Sequence, residues 1–347
     1  MDAHSARFQT MDALRGVAAI AVLALHMHRT WVPLAGFAVD FFFMLSGFVI
    51  AFSYETRLRA GMGFRDFLLR RVIRLYPMIA LGVALGFLYA LFAIGAGVEN
   101  LTIAQAGRLS LAALFLIPGP NPSPTMIYMF PLDMALWSLF FELAANIVYG
   151  LAGFRLSTRM LGALVAANLA LVVAGGEVGG NMLPTFFLGF PRVGFGFFGG
   201  VMLYRLWRSG WRPPFRIGLP GLAVALVLGF VAPVSISGAA LIPAFAYLAA
   251  IVLLAAYADA RGAGPLAKTL GDVSYPLYAL HMPVWSIVAH AILMSSIDGR
   301  FQVFFGYCVA PVSIIAAAYA AFHWVDLPVR RRLAAWTTPR SAVPTAP

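Results

Sequence analysis

The sequence predicts an all-α, polytopic helical membrane protein of about ten transmembrane helices, with both termini cytoplasmic. Three observations lead there. The 347 residues are 62% hydrophobic and 11% charged, with a mean hydropathy of +0.87, which leaves too little polar surface for a soluble protein. Apolar runs of about 18 residues or more recur along the chain, the length a helix needs to cross a bilayer. The arginines also alternate. With the N-terminus inside, 19 of the 24 basic residues fall in cytoplasmic segments, three fall outside and two lie within spans, as the positive-inside rule requires. The net charge of +11 is therefore topological, and no nucleic-acid partner is expected.

The spans lie near 11–29, 33–54, 77–97, 133–153, 159–176, 184–204, 217–234, 238–257, 273–295 and 303–324. The first, MDALRGVAAIAVLALHMH, places Asp12, Arg15 and His26 in an apolar run, where charge is costly and marks function. Arg15 and His26 are eleven residues apart, on nearly the same helix face and about 16 Å apart along the axis. The spacing predicts a cation and a proton-transfer group facing one cavity. A snorkelling Arg15 with His26 among headgroups is the plainer reading. In the second span, Asp40 stands near the outer end and is expected to pair with His26 or Arg29, while Ser46 and Gly47 form a small pair suited to close helix packing.

Residues Gly63 to Pro77, GFRDFLLRRVIRLYP, read as an amphipathic helix on the cytoplasmic surface that stops before Pro77. Arg71 and Arg74 are neighbours on it, and two guanidinium forks suit phosphate, whether of a substrate or of anionic lipid. The apolar run 109–117 is too short to cross and is expected to be interfacial or re-entrant, followed by a proline-rich loop at Pro118–Thr125. The fourth span carries Trp137, Ser138 and Glu142, the last a functional candidate or a salt-bridge partner for Arg15 or Arg192. Arg192 sits among glycines in the sixth span, where Gly196 and Gly200 predict a tight crossing. In the ninth, Ser274, Tyr278, His281 and Trp285 share a face.

Several signals are missing. No G-x-S-x-G or HExxH occurs, and Gly262–Thr269 lacks the glycine of a phosphate loop. The lone Cys308 excludes an internal disulfide and a cysteine zinc site. No metal is expected. An arginine inside the first apolar run argues against a cleaved signal peptide. Residues 1–335 read as one membrane domain and 336–347 as a short cytoplasmic tail. The intramembrane charges also suit a transporter of a polar or anionic solute, although repeated halves and paired broken helices are not evident.

Seven segments together, MDALRGVAAIAVLALH, VDFFFMLSGF, RRVIRLYP, WSLFFE, PRVGFGFFGG, LGDVSYPLYALH and DLPVRRRL, resemble the acyltransferase family 3 proteins in order and over nearly the whole chain. The resemblance implies a multi-pass enzyme of the bacterial cytoplasmic (inner) membrane that moves an acyl group, acetyl by default, from acyl-CoA to a hydroxyl of a cell-envelope glycan, lipid-linked sugar or similar acceptor. Acyl-CoA would be a donor substrate rather than a tightly bound cofactor. It implies catalysis by His26 with Arg15, and contacts from Arg71 and Arg74 to the CoA phosphates. Asp12, Asp40, Ser46, Trp137, Glu142, Arg192, Tyr278 and His281 would support the site or the acceptor. The chain departs from the pattern at Leu143, where many relatives carry a second acid, and at Asp326, where Glu is common. No SGNH-type extracellular domain follows, so chemistry needing one is expected to be absent here or done by another protein.

Overall fold

In a bilayer every backbone polar group must be satisfied within the protein, and a chain this apolar does so by forming helices. The computed structural model describes residues 8–119, 127–258, 264–295 and 298–337. The helices are α1 (Gln9–Met27), α2 (Ala38–Arg59), α3 (Phe64–Gly95), α4 (Ile103–Leu114), α5 (Leu136–Leu151), α6 (Thr158–Gly175), α7 (Gly189–Arg208), α8 (Leu219–Val231), α9 (Leu241–Tyr257), α10 (Pro265–Met294), α11 (Gly299–Phe304), α12 (Ala310–Ala321) and α13 (Leu327–Thr337). Among the described residues, eight helical segments are long and apolar enough to cross a membrane. Two shorter apolar helices, α5 and α8, occupy the fourth and seventh expected spans. Arg7, Arg261, Arg340, most of the expected loop at Pro118–Thr125, the start of Gly262–Thr269 and residues 338–347 of the expected tail lie outside the described residues.

The expected surface helix ending before Pro77 is corrected. Helix α3 runs unbroken through a buried Pro77 for 32 residues. Proline removes one donor, so only the carbonyl a turn earlier loses its partner. Ending the helix at that depth would orphan several groups in apolar surroundings. At about 48 Å, α3 is longer than the roughly 30 Å hydrocarbon core, and its arginine-bearing start belongs to a spanning helix. The short run near 109–117 belongs to α4, whose start is closed by a reciprocal capping box between Thr102 and Gln105.

Two helix crossings set the site. Helix α2, the most enclosed span with 72% of its apolar window buried, packs along α7. The α7 backbone lies so close that a Cβ on Gly47 would strike the Phe197 carbonyl, and one on Gly200 would strike that of Met44. The tight crossing expected from Gly196 and Gly200 is present. Helix α1 packs along α10, where a Cβ on Gly271 would meet the Asp12 Cβ at 2.7 Å. Around these crossings Phe41, Phe43, Phe48, Phe141, Tyr149 and Phe197 form the centre of the core. The last helical stretch contains two π-segments, Phe305–Val309 and Phe322–Asp326. The second ends on the fully buried Asp326, an insertion of the kind that re-aims a side chain.

Candidate active site

Close approach of α1 to α10 lets a side chain from one helix bond the backbone of the other. Arg15 Nε donates to Ser274 Oγ at 2.8 Å and Nη2 to the Gly271 carbonyl at 3.3 Å, while Asp12 Oδ1 lies 3.1 Å from Nη2. The guanidinium is fixed at the wall of a cavity of about 150 Å³ between α1, α2, α3, α5 and α10. Arg71 and Arg74 line the same cavity. Their three-residue spacing on α3 puts both on its inner side.

Glu142 on α5 is the cavity's one lining carboxylate. It accepts the Ser46 hydroxyl at 2.6 Å and lies 3.4 Å from Arg71 Nη2. Ser46, expected to pack, therefore also works as a donor. Of the two arginines named as partners for Glu142, neither holds it; Arg71 does, while Arg15 is taken up by Asp12 and Ser274 and Arg192 by Asp40. Arg74 stacks its guanidinium over the Tyr275 ring at 4.9 Å and sits 3.6 Å from Asp326 Oδ2. Asp326 is shared with Arg330 at 2.6 Å. Arg71 Nε is buried without a hydrogen-bond partner, whereas Arg74 Nη1 is the atom that faces Asp326 in their ion pair. Buried N–H groups are normally satisfied, and three guanidiniums against one lining carboxylate give this half of the cavity its positive charge.

At its other end the cavity closes on Ser138 and Tyr278, whose hydroxyls are 2.6 Å apart. Beyond Tyr278 the ring of His281 follows at 5.8 Å, and then that of His26 at 4.9 Å. Each imidazole places Nδ1 against a carbonyl of its own helix, His281 on Tyr278 at 2.7 Å and His26 on Val22 at 2.9 Å. A carbonyl only accepts, so this assigns the proton to Nδ1 and leaves Nε2 with its lone pair in both rings. His281 Nε2 is buried without a partner, while His26 is exposed near the end of α1. The single cavity expected to hold both Arg15 and His26 is corrected: Arg15 lines it and His26 lies past it, with Tyr278 and His281 between.

The remaining residues form a separate group. Asp40 is bound bidentately by Arg192, at 2.8 Å from Nε and 2.7 Å from Nη2, not by His26 or Arg29. Arg192 also donates to the carbonyls of Gly179 and Gly36 at 3.0 and 3.2 Å and stacks over Trp137 at 5.2 Å. None of Asp40, Arg192 and Trp137 lines the cavity. Sequence reasoning did not single out Tyr275 or the buried Asp133, whose Oδ2 has no partner. Asp133 carried a signal, an acid opening an apolar span. Tyr275 carried none beyond adjacency to Ser274. Among the described residues no three His, Cys, Asp or Glu side chains converge as a metal site would need.

The family model described as an acyltransferase domain matches residues 8–321. The chain is 28% identical over 316 residues to the exopolysaccharide production protein ExoZ of Rhizobium meliloti, covering 88% of this chain and 92% of that one. It is 34% identical over 184 residues to protein 2 in the picA locus of Rhizobium radiobacter, covering 49% of this chain and 96% of that protein. It is 32% identical over 85 residues to the peptidoglycan O-acetyltransferase OatA of Listeria monocytogenes, 24% of this chain and 14% of OatA. No solved structure matches the chain.

Proposed function

This chain belongs to the acyltransferase family 3 and is a membrane O-acyltransferase, and from that premise we propose that it moves an acetyl group from acetyl-CoA, entering from the arginine-rich face, to a sugar hydroxyl of an extracellular polysaccharide. The observation that carries the reading is the polarity of the cavity. Three guanidiniums, one of them with an unpartnered buried N–H, stand at one end, and a series of Tyr278, His281 and His26 leads out of the other. Coenzyme A has the matching shape, with phosphates at one end and a thioester at the far end of a long arm.

A volume of about 150 Å³ is below the roughly 300 Å³ of a typical small-molecule pocket. Part of the pantetheine arm fits there, the nucleotide stays toward the open face, and the thioester end is delivered past Tyr278 and His281 to His26 when those two rings move aside. Arg71 and Arg74 bind phosphate, and Arg15, fixed by Ser274, orients the arm. His26 Nε2 takes the proton of the acceptor hydroxyl as its oxygen attacks the thioester carbonyl. The new C–O bond forms, the C–S bond breaks, and the imidazolium returns the proton to the departing thiolate. The envelope location and the polysaccharide acceptor draw support from the names of ExoZ and OatA.

The test is the purified protein in lipid nanodiscs with radiolabelled acetyl-CoA and polysaccharide fragments from the source cells. Label is expected in the glycan, with free CoA released in equal amount. Binding of acetyl-CoA absent at millimolar concentration, or label passing to glycan from a donor other than a CoA thioester, overturns the reading.

A further inference from the structure

Away from the catalytic cavity, on the arginine-rich face, a polar recess of about 420 Å³ opens between the end of α2, the start of α6 and the end of α7. It holds three guanidiniums, Arg59, Arg205 and Arg208, against one carboxylate, Glu55. Glu55 is buried and shared by Arg59 at 3.4 Å and Arg205 at 3.3 Å. Arg208 makes no ion pair among the described residues and is exposed. The recess thus carries an uncompensated excess of positive charge.

A second cavity, of about 400 Å³, begins where the first ends. The two share Thr158, Arg205 and Ser209. From that polar mouth the second runs along α7 past Leu206, Met202 and Gly199 to Phe195, between α6 and α9, with an almost wholly apolar lining. Ser209 to Phe195 is fourteen residues, about 21 Å along the helix, more than the roughly 15 Å of one leaflet's hydrocarbon. Met202 and Leu206 are partly exposed, so the groove opens sideways toward lipid. Gly199 widens it: a Cβ there would meet nothing within 4 Å.

A cationic head recess joined to an apolar groove of membrane depth has the shape and charge of one kind of molecule. We propose that the two cavities form a single site for an anionic glycerophospholipid, its phosphate on Arg59, Arg205 and Arg208 and one acyl chain in the groove beside Gly199. The site is independent of the acyl-transfer reading, since none of these residues touches the catalytic cavity. A free phosphate would use only the recess. A zwitterionic lipid would use the groove without the charge excess.

Native mass spectrometry of the full chain in detergent tests this with phosphatidylglycerol, phosphatidylcholine of the same tails, and glycerol phosphate. Phosphatidylglycerol is expected to stay bound in preference to phosphatidylcholine. Arg59→Gln with Arg208→Gln, both on exposed side chains, should weaken its retention about thirtyfold and that of phosphatidylcholine, whose choline offsets the phosphate charge, far less, as two surface arginines predict. Gly199→Leu, which projects into open space, should weaken both lipids. Equal retention of the two lipids, competition by glycerol phosphate at the same concentration as the lipid, or unchanged binding in both variants overturns the proposal.

Discussion

The imidazole rings of His26 and His281 lie 4.9 Å apart, each with Nδ1 tied to a carbonyl of its own helix. The two rings differ in access: His26 is exposed and His281 is buried. Only His26 can meet a bulky acceptor. His281 can hold the ring of its neighbour and the inner wall of the site. His26→Ala is expected to lower acyl transfer about 10²- to 10⁴-fold, the range of a lost general base, with unchanged membrane insertion. His281→Asn should lower kcat by about tenfold with KM for the donor unchanged, as displacement of a positioning group would. Steady-state kinetics on both variants checks this; an active His26→Ala removes that residue from the mechanism.

Arg71 and Arg74 both line the cavity, and Arg71 Nε is buried without a partner. A charge-assisted hydrogen bond contributes about 1.5–3 kcal/mol, roughly a ten- to hundredfold change in affinity. Arg71→Gln and Arg74→Gln should each raise KM for acetyl-CoA by that factor and leave kcat within about threefold. The donor titration, repeated with dephosphorylated CoA thioesters, separates the phosphate contact from a general loss of structure: the variants and the native protein should then have similar KM. A fall in kcat alone would place the two arginines in the chemistry instead.

The fold was legible because membranes allow few solutions. Hydropathy and arginine alternation predicted ten apolar segments, and the described residues hold eight long and two short apolar helices. What failed were inferences that needed three dimensions. Pro77 reads as a stop, yet continuing α3 costs one hydrogen bond while stopping would orphan several. Asp40 and His26 are near in sequence, but α2 meets α7 along its length, and Arg192 on α7 reaches Asp40 first. Arg15 and His26 do share a helix face, but a face is not a cavity: rings from α10 fill the space between their levels. Arg71, Arg74, Ser46, Glu142 and Tyr278 do line one chamber with Arg15, which no local periodicity could have shown.

Asp40 and Arg192 give a prediction about stability rather than catalysis. Both side chains are buried, and their pairing is bidentate. Removing one charge strands the other, at about 3–5 kcal/mol. Asp40→Asn should lower the thermal midpoint in detergent sharply, while activity per folded molecule stays near that of the native chain because neither residue lines the cavity. Asp40→Leu combined with Arg192→Met should recover part of the loss, since an apolar pair replaces an ion pair at little cost. A fluorescence-detected thermal ramp reads both; activity lost without any shift in midpoint would move the pair into the reaction.

A glycine at the α1–α10 crossing and one on an open face of α4 predict opposite signs for the same substitution. At Gly271 a Cβ would sit 2.7 Å from the Asp12 Cβ, so Gly271→Ala must push the helices apart. Overpacking of this kind costs about 1–3 kcal/mol. The displacement also carries Arg15 away from Ser274 and the Gly271 carbonyl, the bonds that hold its guanidinium at the cavity. Gly107, inside α4, has nothing within 4 Å of a new Cβ, so Gly107→Ala should stabilise by about 0.4–1 kcal/mol through the unfolded chain. Thermal midpoints should therefore fall for Gly271→Ala and rise slightly for Gly107→Ala, with acyl transfer reduced only in the first. Equal midpoints would mean that the two helices have slack at Gly271, and that Arg15 is not held by the approach of their backbones there.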